Sequence, residues 1–172
     1  MSLPFEDGSF DVVACQFGVM FFPDRPRAFA EAFRVLAPGG RFLFTTWDVL
    51  AASVFPAALV AGLDAVFPDD PPTFVARVPH GYHDPARIEA DLAAGGFGDV
   101  TVDRVTLTGR APSARVVAEG FCFGTPLRFA LEQRGDLHAL SGAVGEHMEG
   151  SLGAGAIEGD LAAFVVTARK PR

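Results

Sequence analysis

The sequence is poor in several residue types, and each shortage excludes a class of protein. Among its 172 residues only two are cysteines, Cys15 and Cys122. Both lie in apolar segments, so we interpret them as buried free thiols of a reducing compartment. Basic residues form only short clusters such as "RPR" at 25–27, and the net charge is −7. Because an acidic surface repels phosphate backbones, we expect no binding to nucleic acid.

Features of membrane and exported proteins are also scarce. The longest apolar stretch, 49–63, is interrupted by Pro56 and is too short to cross a bilayer. The first residues show neither the basic start nor the small-residue cleavage site of a signal peptide. We therefore expect a soluble cytoplasmic protein that makes no membrane contact.

Hydrophobic residues are abundant, at 49% of the chain, and charged residues make up 20%. This balance suits a folded domain with a sizeable core, and the length suits a single domain over 1–172. Seventeen residues are Phe, against one Trp and one Tyr. Phe brings apolar area without a polar group, so we expect it in the core first; the lining of an apolar pocket is the second possibility.

The first part of the chain predicts a βαβ unit. Residues 10–17 form a short apolar run, typical of a strand buried on both faces. A helix follows, which Asp24 can cap and which Pro38-Gly39-Gly40 should end before a second apolar strand at 41–47. The two strands should be parallel, with a right-handed crossover.

The rest of the chain predicts an α/β fold with further helices and two late strands. A helix-prone stretch and a loop rich in Pro and Asp occupy 48–83, the composition of a lid. Asp84 caps the next helix, and Gly95-Gly96 ends it. The alternation in 99–109 slips in phase, which indicates a bulge or an edge strand. Three helical stretches and a last strand at 160–169 complete the pattern.

Two motifs at a specific spacing carry a family resemblance. "LPFEDGSFDVVACQF" followed by "RVLAPGGRF" resembles the class I S-adenosylmethionine-dependent methyltransferases, in particular the type 11 family of small-molecule enzymes. The resemblance implies a Rossmann-like sheet of order 3-2-1-4-5-7-6 with strand 7 antiparallel. It places strand 4 at 10–16, strand 5 at 41–47, strand 6 at about 98–108 and strand 7 at 160–169. It also implies an acceptor-binding insertion at 48–83.

The resemblance covers the carboxyl-terminal part of that fold, from strand 4 onward. The family's Gly-rich turn after strand 1 and its acidic residue after strand 2 have no match in this sequence. The G-x-G pattern in 153–159 precedes a strand and opens no helix, so we interpret it as a loop. The chain is therefore expected to be a truncated Rossmann-like sheet of strands 4, 5, 7 and 6, flanked by helices.

Candidate site residues follow from the rule that ligands bind beyond the carboxyl ends of the strands. With S-adenosylmethionine as the implied cofactor, Cys15, Gln16 and Phe17 are predicted to face it. Gln16 could instead be a polar strand end, and Cys15 is expected to pack rather than to act as a nucleophile.

The methyl acceptor is expected to be a small, fairly apolar molecule. The residues predicted to contact it are Phe21, Trp47 and Tyr82; Phe21 and Trp47 could instead belong to the core. Histidine is the side chain best suited to accept a proton at neutral pH, so His83 is predicted as the base, with a solvent-exposed lid histidine as the alternative. His80 and His83 lack a third ligand at suitable spacing, so no metal site is predicted.

Two functions remain open at this point. The chain is either a small-molecule methyltransferase lacking the Gly-rich half, or a non-catalytic remnant that self-associates and binds no cofactor. In both cases strand 4 would be an apolar edge without a guarding lysine or proline. We therefore expect a homodimer formed through that strand.

Overall fold

A parallel strand pair joined by a helix opens the fold, in a computed structural model that describes residues 2–172. Strand β1 is Phe10–Cys15 and strand β2 is Leu36–Trp47. Helix α1, Arg25–Val35, connects them, and the two strands pair in parallel, as predicted. The carboxylate of Asp24 accepts the N–H of Arg27 at 3.1 Å, which confirms the predicted cap.

The prediction that Pro38-Gly39-Gly40 ends helix α1 and turns the chain is wrong. Helix α1 ends at Val35, before these residues, and they lie inside β2. The pairing of β1 with β2 shifts in register between Phe10 and Val12, opposite this segment. Gly39 has a φ of 81°, a conformation that favours glycine. The Pro-Gly-Gly sequence therefore makes an irregularity within the strand instead of a turn before it.

The sheet contains four strands in the order β1-β2-β4-β3. Strand β3 is Asp99–Ala111 and strand β4 is Ile157–Arg169. β2 and β4 are antiparallel, which confirms the predicted direction of the last strand. β3 is an outer strand, as the broken alternation of its sequence indicated.

Within residues 2–172 six further α-helices follow α1, and the helical stretches predicted from the sequence are all among them. They are α2 Val54–Val66, α3 Phe74–Arg77, α4 Pro85–Ala94, α5 Ala114–Gly124, α6 Leu127–Glu132 and α7 Leu137–Leu152. Asp84 caps α4 through the N–H of Ala86 at 3.0 Å, and Gly95 ends that helix, both as predicted. No helix of residues 2–172 is both long enough and apolar enough to cross a membrane.

The chain divides into two compact units. The first consists of 1–49, 79–105 and 163–172, and the second of 50–78 and 106–162. The first unit contains β1, β2, α1 and α4 with parts of β3 and β4. The second is mainly helical. The prediction of one domain with an acceptor-binding insertion at 48–83 stays a prediction.

Each unit has its own hydrophobic core. In the first, Phe29 stacks on Phe44 at 5.5 Å and lies 5.6 Å from Phe42, and Phe42 stacks on Phe97. These four rings are buried, which confirms the predicted use of Phe as core. The core of the second unit is mostly aliphatic, with buried residues that include Leu59, Leu63, Leu127, Leu131, Val144 and Met148.

Candidate functional site

The carboxyl ends of β1 and β2 meet at one edge of the sheet, because the strands are parallel. Just beyond β1, the N–H of Phe17 donates to Oγ1 of Thr45 at 2.9 Å. The Phe17 ring stacks on the indole of Trp47, with centroids 4.1 Å apart and planes 16° apart. Two residues predicted for different roles, one at the cofactor and one at the acceptor, are thus in direct contact.

Phe17 has a φ of 48° and is the single non-glycine residue in the described chain with a positive φ. Such a conformation costs about 1–3 kcal/mol and persists only where neighbouring contacts hold it. Here the bond to Thr45 and the stack on Trp47 do so. Strain of this kind concentrates at ligand sites, which makes this strand end the best candidate location.

A buried histidine extends the aromatic pair. The ring of His80 lies 6.0 Å from that of Trp47, and its Nδ1 is 2.8 Å from the carbonyl oxygen of Asp48. Burial lowers the pKa of His80, and the neighbouring His83 adds to this, while the Asp48 carbonyl and charge oppose it. His83 is half-buried, and its Nδ1 lies 2.7 Å from the carbonyl oxygen of His80.

Asp48 was missed by the sequence analysis. Its side chain is buried, with Oδ2 accepting from Nε of Arg104 at 2.6 Å and Oδ1 accepting from the N–H of Val49 at 2.6 Å. The only signal in the sequence is its position directly after Trp47, where a strand ends on the ligand side. Its partner Arg104 is 56 residues away in the chain, so no local pattern could have indicated the pair.

Tyr82, predicted to contact the acceptor, packs into the first unit. The residue is 3% exposed, and the guanidinium carbon of Arg25 lies 4.2 Å from the ring centre. The hydroxyl donates to Oδ2 of Asp91 at 3.1 Å, and the Tyr82 carbonyl accepts from Oγ1 of Thr46 at 2.8 Å. Burial, followed by the charge of Asp91, raises the pKa of the Tyr82 phenol.

The other predicted residues lie at or near the same edge. Burial raises the pKa of the Cys15 thiol, partly offset by the Gly18 backbone, so the structure offers no activation of this sulfur. Gln16 is exposed, and Phe21 is 50% exposed. The roles assigned to all seven predicted residues stay predictions. Among residues 2–172, no group of three or more His, Cys, Asp or Glu side chains is arranged to hold a metal ion.

Comparison with known proteins bears on the identity of the first segment. Residues 1–44 match the Methyltransf_11 family, which is described as a methyltransferase domain. The resemblance to the type 11 methyltransferases is confirmed. The methyltransferase match includes β1, α1 and the first nine residues of β2, and therefore the Cys15-Gln16-Phe17 edge.

Curated relatives match over short segments. The chain is 38% identical over 68 residues to a demethylmenaquinone methyltransferase of Deinococcus radiodurans, covering 40% of this chain and 28% of that protein. It is 56% identical over 41 residues to the ubiquinone/menaquinone biosynthesis C-methyltransferase UbiE of Brucella anthropi, covering 24% of this chain and 16% of that protein. The chain thus spans less than a third of the curated relatives it matches.

Solved structures match over nearly the whole chain. The YcgJ protein of Bacillus subtilis has a TM-score of 0.51 and 18% identity over 99% of this chain and 68% of its own. BH2331 of Bacillus halodurans C-125 has a TM-score of 0.53 and 16% identity over 99% of this chain and 74% of its own. The cyclase SpnF has a TM-score of 0.50 and 20% identity over 99% of this chain and 53% of its own. At these identities the likeness concerns the fold alone, and a cyclase shares it, so the reaction has to be argued from the site.

Proposed function

We propose that this chain supplies the acceptor-side part of a small-molecule methyltransferase that uses S-adenosylmethionine. The observation that carries the proposal is the strained, stacked Phe17–Trp47 pair at the carboxyl ends of two parallel strands. The strand order β1-β2-β4-β3, with β4 antiparallel to β2, equals the order 4-5-7-6 that the family resemblance implies. On this proposal β1 corresponds to strand 4 of the family and β2 to strand 5.

The residues at this edge fit one wall of a cofactor cleft. Phe17 and Cys15 offer half-buried apolar surface, and Gln16 offers an exposed amide that can donate and accept. The family's Gly-rich turn and ribose-binding acid match no residue of this chain. We propose that another polypeptide segment supplies them. When bound, S-adenosylmethionine provides the electrophilic methyl group of its sulfonium.

The protein's own contribution would be positioning. Transfer of a methyl group needs the acceptor atom in line with the bond that breaks, so a rigid wall that orients the acceptor accounts for much of the rate. Trp47 and Phe21 would contact the apolar part of the acceptor, with Tyr82 supporting the wall from within the core. His83 would accept a proton where the acceptor must lose one. We propose a cytoplasmic location for this reaction.

Calorimetric titration with S-adenosylhomocysteine tests the proposal. We expect measurable binding heat at millimolar ligand, lost in Phe17→Ala and kept in Phe129→Ala, which removes an exposed ring from α6 in the other unit. Absence of heat with the wild-type chain would contradict the proposal that its Cys15-Gln16-Phe17 edge forms one wall of the cofactor cleft.

The exposed edge of β1 favours a second candidate, a non-catalytic chain that self-associates. β1 is an outer strand, and Val12 is 42% exposed. Apolar cavities of about 370 and 250 Å³ flank the strand, and Val13 lines both. Such an edge invites pairing with another strand. We propose a two-fold homodimer through β1.

Light scattering separates this candidate from a monomer. We expect a dimer for the wild-type chain and a monomer for Val12→Lys, because a charge on the edge strand opposes pairing. Thr108→Lys, a similar change on the opposite outer strand β3, is the matched control and should leave the dimer intact. A dimer that gives no heat with S-adenosylhomocysteine would favour the non-catalytic candidate.

A further inference from the structure

Two histidines in the first unit have the same hydrogen-bond pattern. Nδ1 of His80 lies 2.8 Å from the Asp48 carbonyl oxygen, and Nδ1 of His83 lies 2.7 Å from the His80 carbonyl oxygen. A carbonyl oxygen can only accept, so each Nδ1 must carry the proton. In the neutral rings the lone pair is therefore on Nε2 in both residues.

The surroundings favour the neutral ring for His80. The residue is 4% exposed, and its imidazole lies beside Trp47. The titratable groups that face it are His83 and Asp48, and the Asp48 carboxylate is already paired with Arg104 at 2.6 Å. Burial therefore outweighs the nearby negative charge, in agreement with the lowered pKa of His80.

The bond from His80 to Asp48 also fixes the chain. It joins residues 32 positions apart and holds the segment 80–83 against the end of β2. Thr46 provides a second bond, through its Oγ1 to the Tyr82 carbonyl at 2.8 Å. The His80 carbonyl, which accepts the hydrogen bond from His83, is therefore held in a fixed position relative to the end of β2.

We propose that His80 is a positioning residue that holds His83 in the Nδ1–H tautomer, so that Nε2 of His83 accepts a hydrogen bond from a hydroxyl group of the methyl acceptor. During methyl transfer the proton moves from the acceptor oxygen to Nε2 of His83, and the ring becomes an imidazolium. The electron pair of the O–H bond stays on the oxygen. The Asp48 carboxylate is paired with Arg104, and the rings of Phe17 and Trp47 offer apolar surface, so the acceptor class is a hydroxylated molecule with an aromatic or apolar body. The claim about the acceptor rests on the proposed function. The claim about the tautomer rests on the hydrogen-bond geometry alone.

Long-range ¹H–¹⁵N spectra of the histidine rings test the tautomer in the intact chain. In mildly alkaline buffer we expect His80 and His83 each to show a protonated Nδ1 and an unprotonated Nε2. His138 and His147, in α7, serve as internal references. A wild-type His83 with the proton on Nε2, or with mixed tautomers, would overturn the proposal without needing any variant.

Two substitutions separate positioning from mere packing. His80→Asn keeps an amide N–H where Nδ1 donates to Asp48, and we expect it to preserve the single His83 tautomer. His80→Gln moves the amide toward the Nε2 position, and we expect mixed tautomers at His83. Equal spectra for His83 in both variants would contradict a positioning role.

Phenol and anisole test the acceptor class, since they share a ring and only phenol carries the O–H donor. At millimolar concentration we expect phenol to shift the Nε2 resonance of His83 and anisole to leave it unchanged. Equal shifts with both, or no shift with phenol, would overturn the hydroxyl inference. Since neither probe involves S-adenosylhomocysteine, this result is independent of the calorimetric test of the proposed function.

Discussion

Arg34 and Asp7 lie 27 residues apart in the chain, and Nη1 of Arg34 is 2.7 Å from Oδ1 of Asp7. The same guanidinium donates to the carbonyl oxygens of Leu3 and Phe5 at 3.1 and 2.8 Å and binds both carboxylate oxygens of Glu31 at 3.0 Å. One side chain of α1 thus holds the segment that leads into β1. The two motifs of the family resemblance, "LPFEDGSFD" and "RVLAPGG", are joined by this arginine.

Replacement of Arg34 should release the segment 3–8. Lysine has a single ammonium in place of the planar guanidinium with its several N–H donors. Arg34→Lys should therefore keep only some of the hydrogen bonds to the segment, and Arg34→Ala should keep none. We expect amide hydrogen exchange at 3–8 to be fastest in Arg34→Ala, intermediate in Arg34→Lys and slowest in the wild type. Arg128→Ala removes an exposed pair with Glu132 and is the control. Unchanged exchange in Arg34→Ala would mean that Arg34 does not hold the segment.

The stability of the fold should depend on pH through Glu31. The hydrogen bond from Arg34, followed by that from the Leu3 N–H, lowers the pKa of Glu31 from 4.5 to about 2. A carboxylate whose pKa is depressed in the folded state stabilises the fold above its unfolded pKa, and this contribution is lost as the pH falls toward the folded value. We expect Glu31→Gln to flatten the fall in Tm between pH of about 4.5 and 2. Glu132→Gln is the matched control, and parallel Tm curves for Glu31→Gln and wild type would contradict the assignment.

Local chemistry made much of the fold predictable. The caps at Asp24 and Asp84 and the glycine end of α4 depend on neighbours within a few residues, so the sequence pattern indicates them directly. Pro38-Gly39-Gly40 shows where this reasoning fails, since the segment has the residues of a turn but lies inside β2, at the register shift between the pairs Phe10–Leu36 and Val12–Arg41. Its hydrogen bonds run to the distant end of the chain, from the Gly39 N–H to the Lys170 carbonyl and from the Lys170 N–H to the Gly40 carbonyl, both at 3.0 Å.

The candidate site was less predictable, because its contacts join distant parts of the chain. The predicted parallel strands placed Phe17 and Trp47 on the ligand side. Their stacking, however, depends on the positive φ of Phe17, which no residue pattern indicates. The Asp48–Arg104 pair and the bond from His80 to Asp48 span 56 and 32 residues. Only the folded chain brings these groups together.

The Tyr82–Asp91 bond should contribute measurably to stability. A buried hydroxyl bonded to a carboxylate is worth about 1–3 kcal/mol, so we expect Tyr82→Phe to lower the free energy of unfolding by that amount in denaturant. Tyr82 is the only tyrosine, so its ionisation can be followed by ultraviolet absorbance. Its raised pKa should fall partway toward 10 in Asp91→Ala, because burial, the larger cause, remains. Additive losses in the double variant Tyr82→Phe/Asp91→Ala would contradict a direct bond.

The strain at Phe17 should reverse the usual ranking of alanine and glycine. Both Phe17→Ala and Phe17→Gly remove the ring from Trp47, and both should shift the emission of this single tryptophan. Only alanine keeps a Cβ at a φ of 48°, which costs about 1–2 kcal/mol. We therefore expect the glycine variant to be more stable by about 1 kcal/mol in denaturant unfolding. At Ala90, inside α4, glycine should instead lose about 1 kcal/mol, and the same ranking at both positions would show that Phe17 carries no strain.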